Sequence, residues 1–244
     1  VLYMERIQKV ISNLGYASRR EAEKLILDGK VKVNGEIVRE LGTKVTKKDV
    51  ITVCGDVLDK NKNYEYYILN KPRGVISSVS DPCGRKTVVD LIETDARIYP
   101  IGRLDYDTTG VLLLTNDGEL ANILMHPSSN IEKTYVVKVD GLVTGKDIKT
   151  LRNGVIINGK KTYPAKVKLK SYNKKTDKSI VVLTIHEGKN HQVKNMFKVL
   201  GYDVLKLKRE KYADLDLVGL RVGEYRKLTN KEVSVLYSKI KTTK

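Results

Sequence analysis

The chain has 244 residues, with 46 Lys and Arg against 29 Asp and Glu, a formal charge of +17 at pH 7 that points to a polyanionic partner. Hydrophobic residues make up 41%, enough for a packed core, which excludes wholesale disorder. No apolar run approaches ~20 residues and no signal-peptide pattern opens the chain. Cys54 and Cys83 stand alone without Cys/His spacing, so neither a disulfide scaffold nor a zinc site is expected, and a reducing cytoplasm fits.

Residues 1–60 carry a net charge of +3 and residues 61–244 one of +14, so the excess lies in the body of the chain. Val1-Leu2-Tyr3 precede the first Met, Met4, and stay outside the fold argument. Ile7, Val10, Ile11 and Leu14 sit at i, i+3, i+4 and i+7, one face of a short helix ended by Gly15. Ser18 stands three residues before Glu21, a capping-box spacing. It opens a second helix with Ala22, Leu25 and Ile26 inward and Gly29 as its stop. Lys30-Val31-Lys32-Val33 alternates, Asn34-Gly35 is a hairpin turn, Glu36-Ile37-Val38 returns, and Val50-Ile51-Thr52-Val53 adds a strand. Residues 4–54 therefore read as a small ααβ module. Arg19, Arg20, Lys24, Lys30 and Lys32 cluster on it, as phosphate contacts or as an ordinary solvated face.

Residues 55–63 are polar and without periodicity and read as a linker, leaving 64–244 as a larger domain. Strands are expected at 66–69, 75–78, 111–114, 134–139, 165–169 and 179–185, with Asn70-Lys71-Pro72-Arg73-Gly74 as a turn after the first. Asn158-Gly159 joins two further short strands. Helices are expected at 119–125, 145–152, 191–200 and 230–239. Strands dominate over a few helices, so the class is α+β, with a mixed, mainly antiparallel sheet in the larger domain.

The stretch Ile101-Gly102-Arg103-Leu104-Asp105-Tyr106-Asp107-Thr108-Thr109-Gly110 sets two carboxylates two residues apart on a loop feeding the apolar run 111–114. A rigid scaffold presents reactive groups in such places. A turn in which Asp and Thr bond their own backbone is the plain alternative. Asp105-x-Asp107-x-Thr109 also matches the DxDxT loop of haloacid-dehalogenase-type phosphatases. That loop follows a wholly apolar strand, whereas Gly102 and Arg103 intervene here, and the repeating strand–helix pattern of that fold is missing. Lys166, Lys168 and Lys170 alternate on one strand, followed by Lys174, Lys175 and Lys178. They form either an RNA-tracking stripe or a solvated edge that resists aggregation.

Two resemblances gather these readings. Residues 4–53, with "GYASRREAEKLILDGKVKVNGEIV", resemble the S4 RNA-binding domain, and by that resemblance Ser18, Arg19, Arg20, Lys24, Lys30 and Lys32 become RNA contacts. "GRLDYDTTGVLLLTNDGELANILMHP" at 102–127 looks like the central motif of pseudouridine synthases of the RsuA/RluB family. "LNKPRG" at 69–74, "EKTYVVKVDG" at 132–141 and "EGKNHQVKNMFKVLGYDVLKLKR" at 187–209 resemble the family's other motifs, in family order.

The family's reaction breaks the bond from N1 of uracil to C1′ of ribose, turns the base and rejoins it through C5, without cofactor or metal. The resemblance implies Asp105 as the catalytic carboxylate, attacking the sugar or acting as base at C2′. It implies Lys194 as the cation that keeps this Asp ionised beside a base, and Tyr135 as the ring packing on the flipped uracil. Arg103 becomes a phosphate contact that helps hold the nucleotide extruded, with a structural ion pair as its other reading. Asp107, Thr108 and Thr109 fix the loop, and His126 and His191 fall at structural positions. Relatives commonly carry a second basic residue where this chain has Asn195, which bears on a nearby RNA contact. The expectation is a cytoplasmic, monomeric isomerase acting on ribosomal RNA or a ribosome assembly intermediate, without membrane attachment. The RluB branch implies the 23S molecule. The 16S molecule, or a non-catalytic role in ribosome assembly, are the alternatives.

Overall fold

The computed structural model describes residues 4–59 and 63–241, with side chains through Lys239. Val1-Leu2-Tyr3 and residues 60–62 of the expected linker lie outside the described residues. The chain forms two compact units. The first comprises the residues up to Glu65 with Thr94–Arg97 and Asn116–Gly118; the second comprises Tyr66–Glu93, Ile98–Thr115 and the residues from Glu119 on.

The first unit runs β1 (Glu5–Arg6), α1 (Ile7–Asn13), α2 (Arg19–Leu27), β2 (Val31–Val33), β3 (Glu36–Ile37), β4 (Lys44–Val45), β5 (Ile51–Val53) and β6 (Asp56–Val57). Helix α2 starts where its spacing requires. The Ser18 hydroxyl accepts from the Glu21 N–H at 3.1 Å, and the Glu21 carboxylate accepts from the Ser18 N–H at 3.4 Å. Strands β3-β2-β5-β6 form an antiparallel sheet, and β1 pairs with β4. Ile7, Ile11, Ala22, Ile26, Val31 and Ile51 meet in one core. The expected linker begins later than its polarity suggests. Cys54 and Gly55, both at positive φ, turn the chain back so that β6 pairs with β5 and Leu58 joins the core.

The second unit runs β7 (Tyr66–Lys71), β8 (Tyr99–Ile101), β9 (Thr109–Thr115), α3 (Gly118–Met125), β10 (Lys133–Asp140), α4 (Gly145–Asn153), β11 (Ile156–Ile157) and β12 (Lys160–Lys161). It continues with β13 (Lys166–Asn173), β14 (Lys178–Ile185), α5 (Gln192–Val199), β15 (Val204–Tyr212), β16 (Leu215–Asp216), β17 (Tyr225–Lys227) and α6 (Asn230–Lys241). The main sheet has the order β13-β14-β10-β15-β9-β7-β17, with β8 also on β9 and β16 on β15. Every pairing is antiparallel except that of β15 with β9. The fold is therefore α+β, around a mixed and mainly antiparallel sheet.

Two local expectations change. Asn70 and Lys71, expected in a turn, belong to β7 and pair with Val111 and Gly110. Residues 75–78 make no strand and contribute only a bridge from Ile76 to Thr87. On one sheet face Ile68, Val111, Leu113 and Tyr212 pack with Leu120 and Leu124 of α3 and Leu236 of α6. Strands β9 and β15 approach closely at Gly110, which sits at φ +112, and a Cβ there would lie 2.1 Å from the Arg209 carbonyl oxygen. Glycine is the residue that tolerates both conditions.

Candidate active site

The loop between β8 and β9 carries the paired carboxylates, and the chain anchors it from below. The Lys71 side chain is fully buried, and its ammonium donates to the carbonyls of Pro72, Asp105 and Thr108, each at 3.0 Å. The Ser77 hydroxyl donates to the Leu104 carbonyl at 2.8 Å and accepts from the Leu104 N–H at 3.1 Å. The Gly74 N–H donates to the Tyr106 carbonyl at 2.8 Å, and the Thr108 N–H closes a turn onto the Asp105 carbonyl at 3.0 Å. These bonds fix the backbone around Asp105 while its side chain reaches a cleft. A buried ammonium is expensive to hold charged. Burial pushes the Lys71 pKa down to about 8, against the pull of Asp105 and Asp107.

The opposite wall is the start of α5. His191, its N-cap, adopts the left-handed conformation at φ 51, ψ 26 and makes no side-chain cap bond. Gln192 braces the segment, donating to Glu187 at 2.6 Å and accepting from the Lys189 N–H at 2.9 Å. His191 Nδ1 then lies 3.0 Å from Asp105 Oδ2, and Lys194 Nζ lies 3.0 Å from the same oxygen. Lys194 also donates to Asp107 Oδ1 at 2.7 Å. Burial works against the Lys194 ammonium, but its bonds to Asp107 and Asp105 prevail and raise its pKa. The same bond holds the Asp107 carboxyl below its usual range.

Tyr135 on β10 is buried and lines the cleft with Arg103, Leu104, Ile185, Val193 and Leu207. The site joins an anchored carboxylate, two nitrogen groups on one of its oxygens, an aromatic ring and an aliphatic wall. A flat, uncharged ring can pack there within reach of the carboxylate. Among the described residues no cluster of three or more His, Cys, Asp or Glu could hold a metal ion.

The fold thus brings Asp105, Tyr135, Lys194 and Arg103 together, with Arg103 exposed at the rim. Ser18, Arg19, Arg20, Lys24, Lys30 and Lys32 lie in the first unit. Ser18 serves there as the cap of α2, and the five basic residues are exposed. Arg19 and Arg20 occupy the first turn of α2, where the helix dipole disfavours cations, so an anion would relieve them. Sequence reasoning missed three contacts. His191, expected to be structural, meets Asp105; Asp107 shares Lys194 with Asp105; Lys71 anchors the loop. His191 and Lys194 are three residues apart at a helix start, a spacing that puts both on one face.

Comparison with known proteins gives the family. Residues 65–198 match the RNA pseudouridylate synthase family, and residues 5–51 match the S4 domain. The chain is 55% identical over 234 residues to the ribosomal large subunit pseudouridine synthase B of Bacillus subtilis (strain 168), covering 96% of each chain. It is 40% identical to an uncharacterized RNA pseudouridine synthase of Aquifex aeolicus (strain VF5), covering 96% of this chain and 94% of that one. A crystal structure of a pseudouridylate synthase superposes with a TM-score of 0.69 at 35% identity, over 95% of this chain and 99% of that chain. No helix of the described residues is long and apolar enough to cross a membrane. The family match spans more than half of the chain and its relatives span nearly all of it, so the chain belongs to the RNA pseudouridylate synthase family, an isomerase with an S4 domain ahead of its catalytic sheet.

Proposed function

We propose that this protein converts a uridine of large-subunit (23S) ribosomal RNA to pseudouridine, with Asp105 as the reacting carboxylate. The observation that carries the reading is the bonding at Asp105 Oδ2. Lys194 and His191 both converge on that oxygen at 3.0 Å, beside the buried Tyr135 ring. The ribosomal large subunit named for the Bacillus subtilis relative supports the choice of RNA.

The reaction needs no net gain or loss of atoms. The N1–C1′ bond breaks, a C5–C1′ bond forms, C5 loses a proton and N1 gains one. Asp105 either attacks C1′ or removes the proton at C2′. Both roles require an ionised carboxylate, and Lys194 places its ammonium 3.0 Å from Asp105 Oδ2. Tyr135 packs against the extruded uracil, and Arg103 at the rim contacts its phosphate. Residues 4–54 dock on the RNA through Arg19, Arg20, Lys24, Lys30 and Lys32, and 64–244 form the catalytic domain.

Asp105→Asn tests the assignment. Incubated with unmodified 23S transcript, the variant should form no pseudouridine while its RNA affinity stays within a few-fold of the wild type. Pseudouridine formed by the variant at the wild-type position would overturn the role of Asp105. Modification of 16S transcript alone by the wild type would overturn the choice of RNA.

A further inference from the structure

The sheet wing β13-β14-β10-β15 has two unlike faces. Val137, Val139, Val181, Leu183 and Leu207 are buried on the face that carries Tyr135. On the other face, Val136, Ile180 and Val182 are only half-buried. Register sets lysines around this apolar strip. Lys208 lies opposite Val136, Lys206 opposite Lys138, and Lys211 opposite Thr134. On the far side, Lys168 lies opposite Val182 and Lys166 opposite Thr184. With neighbouring strands ~4.8 Å apart, the β13 and β15 rows stand about 14 Å from each other.

Edge protection accounts for Lys166 and Lys168, because β13 ends the sheet. It does not account for Lys138, Lys208 or Lys211, which are paired with a strand on both sides. Lys138 and Lys206 also face each other directly, and like charges so placed destabilise a sheet. Of these six lysines, the ion pairs of the described residues give a carboxylate only to Lys166, which meets Glu132. The other carboxylates of this region are marginal, with Asp140 opposite Lys178 at the strand end and Glu210 in the bulge of β15. An interior cluster of unneutralised ammonium groups is stabilised by a bound polyanion.

From this we infer that the lysine face is a second RNA surface, opposite in the sheet to the Tyr135 face, taking the phosphate backbone of ribosomal RNA outside the catalytic cleft. The inference rests on the proposed function in that the RNA is the large substrate itself. Phosphate contacts of this kind add affinity and salt dependence without reading sequence.

The test is the triple variant Lys138→Gln, Lys206→Gln, Lys208→Gln, measured on in vitro transcribed 23S RNA and on a short hairpin cut around the uridine the wild type modifies. Affinity for the long RNA should fall, and the slope of log affinity against log salt should drop by about 2–3, at roughly 0.7–0.9 for each of the three lost contacts. Turnover on the hairpin should match the wild type, and the melting temperature of the free variant should rise because the Lys138–Lys206 repulsion is gone. An unchanged salt slope on the long RNA would overturn the surface, including in favour of an acidic protein partner. An equal loss on hairpin and long RNA would overturn it as well, by tracing the effect to the cleft. Absence of pseudouridine with the wild type would instead strike the proposed function, and the salt slope would still report on the lysine face.

Discussion

Replacing Lys71 by Met removes the anchor beneath the Asp105 loop, and its effect can be worked from two opposing quantities. Burial brings the ammonium from 10.5 to about 8, so keeping it charged at neutral pH costs about 3 kcal/mol at ~1.36 kcal/mol per pH unit. Against this, the variant strands the carbonyls of Pro72 and Thr108, at about 1–3 kcal/mol for each unpartnered acceptor, while the Asp105 carbonyl keeps the Thr108 N–H. The midpoint of that range leaves the variant less stable by about 1 kcal/mol. The pH dependence is more diagnostic. Below pH 8 Lys71 is charged in both states. Between about 8 and 10.5 the native chain has shed this proton while the unfolded chain keeps it, so stability from this group rises with pH. By pH 10 the rise amounts to about 2.5 kcal/mol. Urea unfolding of wild type and Lys71→Met from pH 7 to 10 measures the difference. It cancels Lys133, which burial also holds near 8, and Tyr202 and Tyr212, pushed up to about 12 by burial. The wild-type advantage should widen by that amount across the range. A gap that stays constant would refute the buried ammonium as the source.

Other positions give shorter tests. His191→Ala removes one bond to the Asp105 carboxylate, worth about 1.5 kcal/mol for a charged acceptor, and should lower kcat about tenfold in steady-state assays with KM little changed. Gly110→Ala places a methyl 2.1 Å from the Arg209 carbonyl, so β9 and β15 must separate. Chemical denaturation should show a loss of more than about 4 kcal/mol, or no folded protein. Arg19→Ala with Arg20→Ala should weaken RNA binding and reduce its salt slope by about 2 in filter-binding titrations, without changing the melting temperature by more than a few degrees.

What the sequence revealed and what it hid follow one physical division. Local signals were readable: the Ser18–Glu21 capping box opens α2, and the apolar run 111–114 forms the centre of β9. Polar residues inside strands were not. Lys71 resembles a turn residue until the carbonyls of residues 72, 105 and 108 come together around it. Strand β15, with the sequence VLKLKREKY, hides behind its charges because its buried Arg209 donates its Nε–H to the Val111 carbonyl, 98 residues away. The candidate site divides the same way. Asp105, Tyr135 and Lys194 were placed by motif resemblance, while the contact of His191 spans 86 residues and has no local signature.

The strand order also governs when the molecule becomes whole. Strand β15 lies between β10 and β9, although it follows both in the chain. A nascent polypeptide that has emerged only through α5 holds Asp105, Tyr135 and Lys194 but lacks the strand that joins their supports. Pairing across such sequence separations is slow, because chain closure must be completed before the contacts repay it. The cleft around Asp105 is therefore among the last parts of this sequence to form, whereas α1, α2 and β2–β6 are complete by Val57. The ribosome that builds this chain releases an RNA-docking module well before it releases an enzyme.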